Sequence, residues 1–165
     1  MNQKEIRYEP GSTEYSFDED DYSSFLRYKQ KWNPGFQFDT DWIDHLRQNN
    51  GGIPVTNLFQ ASTGETFALD FMYPFKGSND PGLLSVGRVH TLACESEAFD
   101  YNCIPFGRLA NGDLFCLDHR EHLGGPAPVV IWLHEESEED APKFEFVAST
   151  FRDFVQMLYR DDGEE

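Results

Sequence analysis

The sequence has no long apolar run, few cysteines and few bases, and each of these shortages excludes a class of protein. No apolar stretch approaches the ~18 residues that a membrane-spanning helix requires. The opening residues, MNQKEIRYEPGSTEYSFDEDD, contain no apolar core of the kind that a signal peptide carries. The three cysteines, Cys94, Cys103 and Cys116, show no paired spacing. We therefore expect a cytoplasmic protein with reduced thiols and no membrane contact.

Motifs of catalysis and of phosphate binding are also missing. There is no G-x-G-x-x-G, no P-loop lysine motif and no G-x-S-x-G nucleophile turn. Cys116 lies in an apolar run, which offers none of the bases that activate a catalytic thiol. His119 and His122 are three residues apart, whereas a helical zinc pair is normally four apart. We therefore favour an exposed, solvated strand end for these two histidines. We expect no cofactor and no enzymatic activity. A metal-dependent enzyme centred on Asp118, His119 and His122 stays open as a remote alternative.

Bases are scarce relative to acids: 13 lysines and arginines face 30 aspartates and glutamates, for a formal net charge of −17. Thirteen of the acids lie in three short runs that contain no base, within residues 18–21, 135–140 and 161–165. Such a chain is poorly suited to nucleic acid, because binding phosphates requires lysine and arginine. Opposite potentials speed the encounter of proteins, so the runs favour a basic protein partner. The alternative is that they only keep the protein soluble.

Length and aromatic content favour one globular domain with a substantial core. A chain of 165 residues fits a single domain, and about 70% of the unfolded surface should be buried at this size. Fifteen Phe, seven Tyr and three Trp supply bulky side chains for that core. We assign residues 1–21 to a polar N-terminal segment that is loose or loosely docked, residues 22–160 to the domain and residues 161–165 to an acidic tail.

Three segments show the apolar spacing of helices. Their expected buried faces are Phe25, Tyr28 and Trp32 in the first, Trp42, Ile43 and Leu46 in the second, and Phe151, Phe154, Val155 and Leu158 in the last. We expect Asp39 or Thr40 to cap the second helix. We expect Ser149 or Thr150 to cap the last helix, because these side chains can accept hydrogen bonds from the free N–H groups of the first turn. Residues 83–93 are ambiguous, since three apolar residues fit a helix but Gly87 weakens it by about 1 kcal/mol.

The remaining segments read as strands joined by turns. They cover residues 55–60, 66–73, 104–109, 114–118, 129–134 and 144–147, with loops at Ser62–Gly64 and Ser78–Gly82. Asn111-Gly112 predicts a two-residue hairpin turn, which would place Leu109 opposite Leu114 and Arg108 opposite Phe115. The order of helices and hairpin-like strands predicts an α+β domain with a mainly antiparallel sheet.

Four pieces of the sequence together resemble a known family. They are Asn50-Gly51-Gly52-Ile53-Pro54 after a helix, Ile104-Pro105-Phe106 leading to the Asn111-Gly112 turn and the Leu114–Asp118 strand, Val130–Glu135 with its tryptophan, and Val147-Ala148-Ser149 before the last helix. They occur in one order between about residues 40 and 159. The chain is therefore similar to the SUKH superfamily, the Smi/Knr-like group.

The resemblance implies a fold and a role. Many bacterial members of this family look like immunity proteins that bind and neutralise toxins, often nucleases, whereas some eukaryotic members are regulatory scaffolds. We therefore expect a toxin-neutralising protein whose acidic surface binds a basic cognate toxin, with a regulatory adaptor of the same fold as the alternative. The expected partner-binding residues are Asp118, Glu121, Glu135, Glu136, Glu138 and Glu139. Trp132 could anchor a partner, but a core position is the favoured interpretation. The oligomeric state is left open.

Overall fold

The computed structural model describes residues 4–76 and 84–160, and the predicted loop at Ser78–Gly82 lies outside them. The helices are α1 (Glu19–Trp32), α2 (Thr40–Gln48), α3 (Val86–Glu95) and α4 (Phe151–Met157). The strands are β1 (Leu58–Gln60), β2 (Thr66–Met72), β3 (Cys103–Leu109), β4 (Leu114–Asp118), β5 (Val129–Trp132) and β6 (Phe144–Ala148). The predicted α+β class is confirmed.

α1 begins earlier than predicted and buries a different face. Asp18 caps it, since its carboxylate accepts from two N–H groups of the first turn. Phe25 is buried as expected, but Tyr28 is 48% exposed and Trp32 is 65% exposed. Lys29 is fully buried instead. The predicted face was wrong because the end of α1 packs against Tyr101, whose backbone carbonyl accepts from the Lys29 ammonium at 2.9 Å.

The other helices follow their local signals. Asp39 caps α2 and Thr150 caps α4, each through its side-chain oxygen, as predicted. The predicted stripe of α2 is buried. The ambiguous segment is helical: Ser85 caps α3, and a Cβ at Gly87 would meet only one ring atom of Phe25, at 3.6 Å. The helix therefore tolerates Gly87 because its capped start and its buried apolar face offset the cost.

All six strands form one antiparallel sheet in the chain order β1 to β6. The outer edge of β1 is closed, because Leu58 and Tyr159 exchange backbone hydrogen bonds of 3.0 and 2.8 Å. β6 has only β5 as a neighbour. Among the residues that the structure describes, β6 is therefore the open edge of the sheet.

The hairpin between β3 and β4 differs from the prediction by one residue. Arg108 pairs with Leu114, and the Leu109 N–H donates to the Asp113 carbonyl at 2.8 Å. Gly112 has a positive φ of +93°, whereas Asn111 does not, so the tight two-residue turn cannot form. The Asn111 side chain instead accepts from the Asp113 N–H at 2.9 Å. This side-chain turn lengthens the loop to three residues and shifts the register.

The core is aromatic where α4 meets the sheet. The ring of Phe154 lies 5.0 Å from that of Phe115, 5.6 Å from Phe106 and 6.0 Å from Phe59. All four side chains are buried. Rings at these separations add about 0.5–1.5 kcal/mol per pair to the hydrophobic term. α4 therefore holds one face of the sheet together.

Asn50-Gly51 fastens the end of α2 to the chain after β2. The Asn50 amide donates to the Phe75 carbonyl at 3.0 Å and to the Ser16 carbonyl at 3.1 Å, and its oxygen accepts from the Phe75 N–H at 3.0 Å. Gly51 has φ +83°, and a Cβ there would lie 2.5 Å from the Met72 carbonyl oxygen. Only glycine fits this approach. We call the Asn50 contacts the amide clip.

The chain before α1 is docked along the same region. Ile6 is 3% exposed. The Val55 N–H donates to the Arg7 carbonyl at 2.7 Å, and the Glu9 N–H donates to the Ile53 carbonyl at 2.8 Å. These bonds hold the polar segment against the residues that follow the amide clip.

Candidate partner-binding surface

The acidic run between β5 and β6 forms a loop that its own hydrogen bonds hold in shape. We call residues 135–140 the acidic loop. The Ser137 hydroxyl donates to the Leu133 carbonyl at 2.8 Å and accepts from the Lys143 N–H at 2.8 Å. It thus joins the two ends of the loop. The loop presents its side chains from a defined backbone, which lowers the entropy lost on binding.

The acids of this loop face solvent. The exposed residues are Glu135, Glu136, Glu138, Glu139 and Asp140. Within residues 4–76 and 84–160, the last four make no ion pair, while Glu135 lies 3.9 Å from the His134 ring. The Asp140 N–H donates to the Glu97 carbonyl at 3.0 Å, which anchors the loop to the turn after α3. The loop is a fixed patch of uncompensated negative charge.

A second contact ties the acidic loop to the β3–β4 hairpin. The Asp113 carboxylate accepts from the His134 N–H at 3.1 Å and contacts the His134 ring. Its other oxygen accepts from the Asn111 amide at 3.1 Å. The hairpin and the start of the loop therefore form one unit at this end of the sheet.

Asp118, at the end of β4, is already engaged within the chain. Its carboxylate accepts from the Arg120 side chain at 2.8 and 2.9 Å and from the Arg120 N–H at 3.0 Å. Burial by itself would raise the pKa of Asp118, but the hydrogen bonds from Arg120 outweigh it and hold that pKa below its usual value. Arg120 then stacks on Phe144, with 4.5 Å from guanidinium carbon to ring centroid. We infer that Asp118 positions Arg120.

The six predicted partner-binding residues do not form one cluster. The Asp118 N–H bonds to the Pro128 carbonyl at one end of the β4–β5 pair, whereas Leu114 pairs with Trp132 at the other end, where the acidic loop begins. Because β4 and β5 are antiparallel, Asp118 and Glu121 lie at the opposite end from Glu135, Glu136, Glu138 and Glu139. Glu121 is exposed, beside a hollow lined by Asp118, Arg120, His122 and Pro128.

His119 is not the solvated strand end that the sequence predicts. It is fully buried, its Nδ1 contacts the His122 carbonyl, and its ring lies 4.8 Å from that of Phe36. Burial is the main reason that its pKa is lowered. The correction arises because Phe36 reaches this strand end from a distant part of the chain. In the described part of the chain, no three His, Cys, Asp or Glu residues cluster as ligands of a metal ion.

Lys29 and His90 form a buried polar pair beneath α1. Lys29 Nζ and His90 Nε2 both donate to the Tyr101 carbonyl, each at 2.9 Å, and Nζ lies 3.6 Å from the centroid of the Tyr101 ring. Burial lowers the pKa of Lys29 to about 8 and that of His90 to about 4. The two side chains thus hold the Tyr101 backbone against α1, beneath the end of the helix that exposes Tyr28 and Trp32.

Replacing Lys29 by methionine should stabilise the fold at neutral pH. The lowered pKa corresponds to about 3 kcal/mol of cost for the buried ammonium, and the lost hydrogen bond returns about 1 kcal/mol of it. We expect a gain of about 2 kcal/mol at pH 7. Unfolded lysine binds more protons than Lys29 between pH 8 and 10.5, so the wild type recovers stability over that window. Urea unfolding of both proteins at pH 7, 9 and 10.5 should show the advantage shrinking, and a constant difference would contradict it.

Trp132, Cys103 and Cys116 are core residues, and Cys94 is partly buried against the core. Trp132 is 8% exposed and its Nε1 donates to the Ala98 carbonyl at 2.8 Å, which confirms the core interpretation. The three cysteines are free. Burial raises the pKa values of Cys94, Cys103 and Cys116, so these thiols remain protonated.

Two exposed aromatic sites were not predicted from the sequence. A shallow hollow of about 480 Å³ is lined by Tyr28, Trp32, Asn33, Tyr101 and Asn102. On β6, the Phe146 side chain is 60% exposed. The sequence predicts that Phe146 lies in a strand, within the run FEFV. Nothing in that run shows that the strand lies at an edge of the sheet or that Phe146 is on its exposed face.

Comparison with known proteins places the chain in a family. No described helix has the length and apolar character needed to cross a membrane. No curated protein matched the chain, and no solved structure matched it. A family model for the SMI1/KNR4 family (SUKH-1) matches residues 19–157, from the start of α1 to the end of α4. That match covers most of the chain, including both the amide clip and the acidic loop. The protein belongs to the SMI1/KNR4 family (SUKH-1).

Proposed function

We propose that this protein is an immunity protein that neutralises a basic bacterial toxin, of nuclease type, by direct binding. The observation that carries the proposal is the acidic loop, which presents five exposed acids on an ordered backbone. Four of them have no counter-ion among residues 4–76 and 84–160. Membership of the SUKH-1 family supports it, because the family is known in toxin-immunity contexts. Binding, and not catalysis, is the proposed activity.

The negative charge of the acidic loop indicates a partner with a basic surface. A nuclease carries lysine and arginine where it grips phosphate, and the loop can occupy that surface in place of nucleic acid. Opposite charges speed association, whereas desolvated contacts at the centre of the interface slow release. Glu135, Glu136, Glu138 and Glu139 would pair with the toxin's bases. Glu121 would form a separate contact beyond the far end of β4.

Reversing the four loop glutamates together, as Glu135→Lys, Glu136→Lys, Glu138→Lys and Glu139→Lys, should weaken binding of the cognate toxin at least about 100-fold. All four side chains are exposed, so the fold should be retained. Affinity and association rate can be measured by surface plasmon resonance with the basic protein that co-purifies with the tagged wild-type chain. In the wild type, raising the salt concentration should slow association more than it speeds release.

A matched variant controls for net charge. Glu5, Glu9, Glu14 and Asp44 are also exposed, and they lie on the N-terminal segment and on α2. Reversing them changes the total charge by the same amount but should leave affinity within about threefold of the wild type. Equal losses in both variants would show that only net charge matters. An unchanged affinity in the loop variant would exclude the loop from the interface.

A regulatory adaptor is the second candidate, and the aromatic hollow favours it. Tyr28 and Trp32 expose large rings beside the bases of α1, and exposed aromatic side chains are typical anchors of protein interfaces. A partner held there would not need to be basic. Trp32→Ala should reduce its binding, while the loop variant should not, and pull-down with each variant separates the two functions.

A further inference from the structure

The open edge of β6 exposes unpaired backbone groups, and the hydrogen-bond register identifies them. The Leu133 N–H donates to the Lys143 carbonyl at 3.0 Å, so these residues form a bonded pair. Bonded and non-bonded pairs alternate in an antiparallel ladder. Trp132 pairs with Phe144 in the same register, and that pair is therefore non-bonded. The N–H and C=O groups of Phe144 consequently point away from β5.

The backbone N–H and C=O groups of Phe146, two residues further along β6, also point away from β5. Phe146 pairs with Val130. An independent check comes from the other side of β5, where the Asp118 N–H donates to the Pro128 carbonyl at 2.8 Å. That bond makes Val130 a bonded partner of β4, so its polar groups face β4 and not β6. Within the described residues, the outward groups of Phe144 and Phe146 make no hydrogen bond.

The side chains along this edge offer an apolar row on one face. Phe146 is 60% exposed, and Phe144 is half-buried under the Arg120 guanidinium. An exposed aromatic residue on an unpaired edge strand is a feature that monomeric sheets usually avoid, since it invites another strand. Here neither proline nor lysine lies within β6 to block the edge.

The acids outnumber the bases around the edge. Lys143 directly precedes β6, and the Arg120 that stacks on Phe144 is already paired with Asp118. Three residues separate the acidic loop from the start of β6, and Glu145 lies on the face opposite Phe146. Burial, followed by the nearby carboxylates of Glu65, Glu136 and Asp113, raises the pKa of Glu145. A second copy of this chain, which carries the same net charge of −17, would be repelled from such an edge. The edge suits a basic strand instead.

We propose that the partner adds an extended, basic segment to the sheet as a seventh strand along β6. Its backbone would bond to the outward groups of Phe144 and Phe146. Apolar side chains on one of its faces would cover Phe146, and lysine or arginine on the other would meet Glu145 and the acidic loop. This inference rests on the proposed function for the basic nature of the partner, and it adds the mode of binding.

The test uses the full chain and two synthetic peptides. One peptide alternates lysine and valine over about six residues, and the other has the same sequence with N-methyl groups on alternate backbone nitrogens. Titration is followed by amide chemical shifts, and hydrogen exchange is measured at Phe144 and Phe146. We expect the first peptide to slow exchange at both amides. The methylated peptide, which cannot bond along an edge, should bind about tenfold more weakly or worse.

Two variants of the protein separate backbone from side chain. Phe146→Pro removes an outward N–H that β5 does not use, so the sheet should persist while peptide affinity falls about tenfold or more. Phe146→Ala keeps that N–H and should keep the exchange protection, with a smaller loss of affinity. Melting temperature checks the fold of each variant. The comparison of the two peptides on the wild-type protein stands even where a variant fails to fold.

Three results would overturn strand addition. Equal binding of both peptides, with shifts confined to the acidic loop, would mean charge capture without a ladder and would leave the proposed function intact. Binding by neither peptide would exclude the edge as a docking site for basic strands. Protection of Phe144 and Phe146 without peptide, together with a dimer in sedimentation, would assign the edge to a second copy. Failure of the proposed function shows separately, as unchanged toxin affinity in the loop variant.

Discussion

Replacing Asn50 by alanine is expected to lower the free energy of unfolding by about 4 kcal/mol. The Asn50 side chain is 5% exposed and makes three hydrogen bonds, two of them to the same residue, Phe75. Its amide thus pairs with the Phe75 peptide group as a neighbouring strand would. Alanine would leave the buried Phe75 N–H without a partner, which costs about 1–3 kcal/mol, and would remove one donor each from the Phe75 and Ser16 carbonyls, at about 1 kcal/mol per lost bond.

The effect should spread beyond the substituted residue. The Phe75 carbonyl also accepts from the Asp18 N–H at 3.1 Å, at the start of α1, so the amide clip joins three segments. We expect Asn50→Ala to loosen the start of α1 and the end of β2 together. Chemical denaturation gives the loss of stability, and hydrogen exchange at Phe75 gives its location.

Asn49 supplies the matched control. It precedes Asn50, it is half-buried, and its side chain makes no hydrogen bond within the residues that the structure describes. Asn49→Ala should change stability by no more than about 0.5 kcal/mol. A loss of similar size in both variants would show that α2 tolerates no alanine at its end, and that the amide clip is not the cause.

Acidification from pH 6.5 to about pH 4 is expected to cost the fold about 6 kcal/mol, which approaches the whole stability of a small domain. Burial lowers the pKa values of His45 and His90 to about 4 each. Each shift from 6.5 corresponds to about 3 kcal/mol. His90 is 1% exposed, between the rings of Phe25, Phe99 and Tyr101.

The sign follows from proton binding. Below pH 6.5 the unfolded histidines take up protons, whereas His45 and His90 stay neutral in the folded chain until about pH 4. The unfolded state therefore binds more protons within this window, and stability falls as pH falls. Above pH 6.5 both states carry neutral histidine and the contribution is constant. The buried His119 adds to the loss in the same direction.

Urea unfolding at intervals between pH 7.5 and 4.5 measures this dependence. His90→Gln, which retains a donor for the Tyr101 carbonyl, should remove close to half of the slope. The raised pKa values of Asp21, Asp39 and Glu145, each due chiefly to burial, act in the opposite sense near pH 4, so the comparison is clearest above pH 5. A flat profile between pH 7 and 5 would contradict the neutral buried histidines.

Many of the helices and strands could be predicted from patterns within a few neighbouring residues. Asp39 and Thr150 cap their helices because capping depends only on a side chain and the next few N–H groups. The stripe of α2 followed from apolar spacing, and the antiparallel character of the sheet followed from the turn residues between strands. The hairpin register failed by one residue because Asn111 uses its side chain, not a positive φ, to turn the chain.

The placement of the proposed partner-binding residues was predicted only in part, for a topological reason. The sequence identified Glu135, Glu136, Glu138 and Glu139 as an exposed run, since charged residues clustered in a loop stay in water. It grouped Asp118 with them, although antiparallel pairing of β4 and β5 puts the two at opposite ends. The open edge at Phe146 was also not predicted. A strand lies at an edge only when no other strand pairs with one of its sides, and this pairing depends on the tertiary structure.

The sequence by itself determined which segments form most of the helices and strands, the family of the chain and the places where its charge concentrates. Tertiary structure alone decided that Lys29 and His119 are buried and that Trp32 is exposed. The physical reason is distance along the chain. A cap or an apolar stripe is complete within a few residues, whereas the cost of burying Lys29 depends on the Tyr101 carbonyl, 72 positions away.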